Sequence, residues 1–150
     1  AIHALLREQA AAGNLLPRTQ ENLVRHVRDF VVAERDGAVA AVGALEIMGP
    51  DLGEVRSLAV APAFHRQGLG ERLTRALLDA ARAVGLKRVM ALTYVPGFFG
   101  RLGFELVSKD DLPEKVWQVC VKCYKFNRCD EIAVMLRLDA PQQTDTSITA

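Results

Sequence analysis

The sequence is poor in the residues on which whole classes of protein depend. Only three of its 150 residues are cysteine, an odd number that makes no disulfide framework. A reducing compartment, the cytoplasm, is therefore expected. Neither sign of charge dominates: nineteen Lys and Arg face eighteen Asp and Glu, a formal +1. No strong field draws the chain to nucleic acid or to a membrane surface. No apolar run approaches the ~20 residues of a spanning helix. The opening Ala1-Ile2-His3-Ala4 has no basic stretch ahead of an apolar core, so no signal peptide is read there. Aromatic residues are scarce at 6%, and no internal repeat is visible.

What is abundant is ordinary globular material, half apolar (50%) and a quarter charged (25%). Such a composition excludes disorder for the body of the chain. The length suits one domain, which at this size buries roughly 68–70% of its unfolded surface.

Periodicity orders the elements. Ile2, Leu5, Leu6 and Ala10 recur at helical spacing up to the stop signal Gly13-Asn14, and a second helix over 19–27 takes Thr19 as its N-cap with Leu23 inward. Phe30–Arg35, the hairpin signal Asp36-Gly37 and Ala38–Met48 read as two antiparallel strands. A turn at Gly49–Gly53 leads to the strand Glu54–Val60, which Pro62 ends. Leu69–Val84 is the clearest helix, with Leu73, Ala76, Leu77, Ala80 and Val84 as its apolar face and Gly85 just past its end. A strand over Lys87–Thr93 completes a βαβ unit. A short helix at Gly97–Leu102, a strand from Phe104, a helix over Leu112–Lys122 and a strand at Glu131–Leu138 follow. The fold class is α/β: a mixed central sheet flanked by helices, one domain over 1–139, and a polar tail over 140–150.

The turn from strand to helix around Arg66-Gln67-Gly68-Leu69-Gly70 is chemically suggestive. Two glycines two apart let backbone approach a ligand closely and aim several N–H groups one way. The helix that follows offers free amides and its positive dipole end, a natural pyrophosphate site, and Arg66 adds a cation. A tight strand-to-helix turn without a ligand explains the same glycines equally well. The segment is neither a dinucleotide-binding fingerprint nor a Walker loop, lacking the third glycine of one and the Gly-Lys-Ser/Thr of the other.

Leu58-Ala59-Val60-x-Pro62-x-x-x-Arg66-Gln67-Gly68-Leu69-Gly70 resembles the acetyl-CoA motif of the GCN5-related N-acetyltransferases (GNAT). Phe98-Phe99-Gly100-Arg101-Leu102-Gly103-Phe104 resembles that family's later segment. The order of elements fits over nearly the whole chain, except that the family's usual opening strand is missing ahead of the first helix. His65 departs from the Arg or Gln the family carries there, and reads as a surface loop residue. The resemblance implies acetyl-CoA as co-substrate, held by Leu58, Ala59, Val60, Arg66, Gln67, Gly68, Leu69, Gly70 and Glu71. It implies Glu54 as the base, the alternative being a charged strand end beside Gly53. Simple alternation puts Glu54, Arg56, Leu58 and Val60 on one face of the strand. The backbone N–H of Leu58 would serve as oxyanion donor, and Val60 would pair the pantetheine arm. Phe98 and Phe99 stand where the family's tyrosine acid would be, so that acid is absent or displaced; Tyr94 is the nearby substitute, and a half-buried strand-end aromatic explains it equally well.

Two further segments address the acceptor. Gly13–Thr19 resembles the loop of the N-acetylglutamate synthases that carries a carboxylate-holding arginine, here Arg18. The stretch Leu112–Glu131 is similar to the C-terminal signature of the short, free-standing bacterial members. It is a basic island, with Lys115, Lys122, Lys125 and Arg128, which on the residues alone reads as a solvated basic face. The resemblance thus implies transfer of acetyl to L-glutamate on the path to arginine; L-glutamine is the alternative acceptor. Arg18, Ser57 and Arg128 would contact the substrate, and a homodimer would be in keeping with the family. No metal is expected, and zinc at Cys120, Cys123 and Cys129 is the minor alternative to buried or free thiols. Acetylation of another small or protein amine, and a non-catalytic acyl-CoA-binding module, are the competing functions.

Overall fold

The computed structural model describes residues 1–108 and 131–138. In chain order its elements are α1 (Ile2–Ala11), α2 (Gln20–Arg25), β1 (Phe30–Arg35), β2 (Ala38–Ile47), β3 (Leu52–Val60), α3 (Leu69–Ala83), β4 (Arg88–Thr93), α4 (Pro96–Gly100), β5 (Glu105–Leu106) and β6 (Ile132–Arg137). Single 3-10 turns lie at Val27–Asp29 and Pro62–Phe64. The expected helix over Leu112–Lys122 and the polar tail over 140–150 lie outside the described residues.

The six strands form one sheet in the order β1-β2-β3-β4-β6-β5. Every adjacent pair is antiparallel except β3 and β4, which run parallel and are joined through α3. This is the βαβ unit expected from the sequence, within a mixed α/β sheet. The β1–β2 hairpin turns on Asp36 and Gly37, both left-handed (φ 52° and 77°), the backbone of a type I′ turn. Thr19 caps α2 as its sequence suggests, its Oγ1 accepting from the Asn22 amide at 3.1 Å.

Two layers cover the sheet. On one face, Leu77, Leu78 and Ala81 of α3 pack with Val55, Val89 and Ala91 of the strands and with Phe99, Phe104 and Val134. On the other, Leu5 and Leu6 of α1 and Leu23 of α2 cover Val42 and Ala59. That second face continues as Met48, Leu52, Met90 and Ala133.

The buried stripe of α3 is Leu69, Leu73, Thr74, Leu77, Leu78 and Ala81. It therefore runs along a different line from the expected one. Ala76 and Ala80 face solvent, and Val84, the C-cap, is 62% exposed. The larger leucines claim the sheet, and Ala76 and Ala80, which lose little by exposure, are left outside.

The start of the parallel pair is pinned electrostatically. The Asp51 carbonyl accepts from the amides of Lys87 and Arg88, both at 2.9 Å, and the Asp51 carboxylate accepts from Arg88 Nη2 at 3.0 Å. That hydrogen bond holds the Asp51 carboxyl below the usual carboxylate range. With the folded-state value below the unfolded one, the pair's contribution is complete above the unfolded value of ~3.9 and is lost as pH falls through the folded one. Thermal melts from pH 7 to pH 3 should therefore show wild type losing an increment below about pH 4 that Asp51→Asn lacks. Identical pH profiles would show that the pair contributes nothing.

Candidate active site

A fault in one strand organises the site. Along β3 the register to β2 runs Val60↔Ala41 and Ala59↔Val42, then resumes at Arg56↔Ala44. Ser57 and Leu58 thus oppose the single residue Gly43, a β-bulge, and Ser57 takes the left-handed conformation at φ 54°. The extra residue resets the alternation. Val55, Leu58 and Val60 pack on the α3 side, while Ala59 packs under α1 and α2. Glu54, next to Val55, takes the face opposite α3. The expectation that Glu54, Arg56, Leu58 and Val60 share one face is corrected: the bulge moves Leu58 and Val60 across. Gly43 faces the bulge in a tight space. A Cβ there would stand 3.1 Å from both Leu58 Cδ1 and Leu77 Cδ1, a contact the sequence reading did not anticipate.

The same strand parts from its parallel neighbour. Rungs join Leu52, Gly53 and Glu54 to Arg88, Val89 and Met90, and β3 then runs on to Val60 with no further rung to β4. Glu54 sits at this fork, 2% exposed. A buried carboxylate stands where the sheet opens.

At the far end of β3, Pro62 opens a 3-10 turn, and the chain enters α3 through Arg66 (φ 63°) and Gly68 (φ 73°). Gly68 is the N-cap and supplies no side-chain cap, so the first-turn amides of α3 lack a side-chain acceptor there. A Cβ on Gly68 would meet nothing within 4 Å; glycine is favoured for its backbone angle. Gly70 lies beside the Phe98 segment: a Cβ there would make ordinary van der Waals contact, 3.5 Å from the Phe98 ring and 3.7 Å from Val60. Phe98 in turn stands edge-on to Phe99, and Phe99 to Phe104, with centroids 5.1 Å apart in each case. The two motifs far apart in sequence therefore meet. His65 is exposed and its Nε2 donates to the Val60 carbonyl at 2.9 Å, tying the loop to the strand end. Glu71 pairs with Arg75 at 2.9 Å on the open surface of α3.

On the face opposite α3 lies a charged group. Arg56 Nη1 donates to Glu46 at 2.6 Å, and its Nε stands 3.8 Å from Glu54. Arg18 comes in from the α1–α2 loop. Its Nε donates to Asn22 Oδ1 at 2.8 Å and its Nη1 to Ser57 Oγ at 3.0 Å. Its guanidinium carbon lies 5.2 Å from the centroid of the Phe30 ring. Burial, reinforced by the Arg56 cation, draws the Arg18 pKa below its ordinary value. Among the described residues no carboxylate reaches Arg18 within ion-pair distance; Glu46, Asp29 and Glu54 act on it only at longer range.

The fold thus brings Arg18, Ser57 and Glu54 to one face, and Val60, the Arg66–Gly70 loop and Phe98 to the end of the same strand. Tyr94 is half-buried between β4 and α4. Arg128, the basic residues Lys115, Lys122 and Lys125, and Cys120, Cys123 and Cys129 lie outside the described residues. Among the described residues no group of three His, Cys, Asp or Glu side chains could hold a metal ion. No helix among them is long and apolar enough to cross a membrane.

A strand forked from its parallel neighbour, with a glycine loop opening a helix beside it, matches the arrangement that the resemblance to the acetyltransferases implies. The acetyltransferase (GNAT) family profile matches residues 3–104, and the chain belongs to that family. It is an acetyltransferase. It is 38% identical over 142 residues to an uncharacterized N-acetyltransferase of Chlorobaculum tepidum, covering 92% of this chain and 89% of that protein. N-acetylglutamate synthase of Neisseria gonorrhoeae, solved with coenzyme A and N-acetyl-glutamate, superposes with a TM-score of 0.81 at 34% identity. That match covers 91% of this chain but only 32% of the gonococcal one. A Mycobacterium tuberculosis protein solved in complex with CoA superposes with a TM-score of 0.77 at 31% identity, covering 91% of this chain and 92% of that one. The chain also spans 26% of the length of the amino-acid acetyltransferase of Neisseria meningitidis, at 39% identity.

The bulge carries a measurable expectation. Gly43→Val would push a branched side chain into Leu58 and Leu77, and overpacking of this kind costs ~1–3 kcal/mol. Urea unfolding should show that loss, and an unchanged midpoint would mean the bulge has room to spare.

Proposed function

We propose that the chain transfers the acetyl group of acetyl-CoA to the α-amino group of L-glutamate. The observation that carries the acceptor is the state of Arg18: a half-buried cation held by an amide, a hydroxyl and a ring, with no carboxylate paired to it among the described residues. A buried charge without a counter-ion is costly. A substrate carboxylate would supply the counter-ion, through charge-assisted hydrogen bonds. The gonococcal synthase, whose solved complex holds N-acetyl-glutamate, supports the same choice.

The donor side rests on the loop. The uncapped amides of α3 and the left-handed residues Arg66 and Gly68 suit a pyrophosphate, with Gln67, Leu69 and Glu71 beside them. Val60, at the strand end, would pair the pantetheine arm, with Leu58 and Ala59 behind it.

The chemistry then follows from elementary requirements. An amine of pKa ~8–10 is mostly protonated at neutral pH and must lose a proton before it can attack. Glu54 accepts that proton, directly or through water. The free amine attacks the thioester carbonyl, and the Leu58 N–H stabilises the oxyanion that forms. The nitrogen sheds its second proton to solvent as the C–S bond breaks, and the thiolate departs, a fair leaving group at a thiol pKa of about 8.5. Tyr94 is the candidate to reprotonate it. Direct attack in a ternary complex needs no cysteine nucleophile.

Two variants separate these roles by initial-rate thiol release. Glu54→Gln should lower the maximal rate ~10²–10⁴-fold, the usual share of a general base, with the Michaelis constant for acetyl-CoA unmoved. Arg18→Ala should raise the Michaelis constant for glutamate ~10- to 150-fold, the worth of a charge-assisted contact. Near-wild-type kinetics in both variants would defeat the reading.

A further inference from the structure

The two arginines on the face opposite α3 are treated differently. Arg56 is held by carboxylates, Glu46 at 2.6 Å and Glu54 at 3.8 Å. Arg18 is held at three points, and among the described residues each group in contact with it is neutral: Asn22 Oδ1 on Nε, Ser57 Oγ on Nη1, and the Phe30 ring against the guanidinium. An acid in place of Asn22 would have been the simpler way to fix an arginine at this distance. Asp is also well tolerated in the first turn of a helix, where it favours the dipole, and Asn22 is in the first turn of α2.

We propose that Asn22, with Ser57, is a specificity-determining positioning residue whose neutrality is its function: it fixes the direction of the Arg18 guanidinium without spending its charge, which stays available for the carboxylate of the acceptor. The inference rests on the reading of Arg18 as the carboxylate site.

The local geometry supports it. Thr19 caps α2 through the backbone amide of Asn22 at 3.1 Å, which sets the first turn. The Asn22 side chain then reaches back four residues to Arg18. With Nε engaged by Asn22 and Nη1 by Ser57, the described contacts leave Nη2 as the nitrogen without a protein acceptor. An incoming carboxylate therefore meets the guanidinium at its Nη2 edge, in an orientation already set. Selectivity follows from charge: an acceptor amine lacking a carboxylate gains nothing from Arg18 and leaves its cost standing.

The test compares Asn22→Ala with Asn22→Asp in the full chain, reading Michaelis constants for glutamate and acetyl-CoA, and the thermal midpoint. A purely structural Asn22 predicts that Asp, which pairs with Arg18 and suits the helix start, restores what Ala loses. The neutral cradle predicts the reverse order for glutamate. Asn22→Asp should match or exceed Asn22→Ala in thermal midpoint yet raise the glutamate constant ~10- to 150-fold, more than Asn22→Ala does, while the acetyl-CoA constant stays within about twofold. Should Asn22→Asp fail to fold, Ser57→Asp carries the same test, since Asp is among the residues that tolerate a left-handed backbone. A glutamate constant for the Asp variant at or below that of the Ala variant overturns the proposal and leaves the glutamate reading intact. A wild-type enzyme indifferent to the acceptor's carboxylates overturns both.

Discussion

One extra residue in β3 governs the rest. With Ser57 inserted opposite Gly43, the strand presents Glu54 to one face and Leu58 and Val60 to the other. Without it, plain alternation would stack the candidate base, the candidate oxyanion donor and the pantetheine-pairing residue on a single side. A left-handed serine costs of order 1–3 kcal/mol, and part of the return is visible: Ser57 Oγ accepts from Arg18 at 3.0 Å. The bulge that separates the faces also supplies one of the groups that hold the arginine.

The charges on the face opposite α3 show how the fold divides its electrostatics. Arg56 links Glu46 on β2 to Glu54 on β3, strands paired directly at those two acids. The link leaves Glu54, 2% exposed, with the Arg56 Nε 3.8 Å away. Arg18 arrives from a loop instead, and loops carry recognition residues because the scaffold beneath them is rigid. Its half-buried charge is left to be met by something other than the described residues.

Much of this was legible in the residues. The type I′ hairpin at Asp36-Gly37, the Thr19 cap and the left-handed Gly68 follow from local backbone chemistry, which a sequence states directly. The glycine loop and the Phe98 segment were each found through the family resemblance, but that they touch is seen only in the fold. Three things stayed hidden. The bulge did, because period-two alternation has no term for an inserted residue and Ser57 is not a glycine that would flag a positive φ. The buried line of α3 did, because Ala76 and Ala80 fit an apolar stripe as well as Leu69 and Leu78, and only the sheet beneath chooses between them. The tie from Asn22 to Arg18 did as well, though spacing of four residues across a helix start was the available signal. Gly43 could have been found by asking why a central strand carries a glycine.

The account stands most directly on which acceptors the wild-type enzyme acetylates. Thiol release from acetyl-CoA should be followed with glutamate, glutamine, the α-amide of glutamate and 4-aminobutyrate, all close in size and differing in the carboxylates they keep. The account predicts the highest kcat/KM for glutamate and a loss of ~10- to 150-fold in the analogues that lack the carboxylate facing Arg18. Equal turnover across the four, or none with any of them, would contradict it.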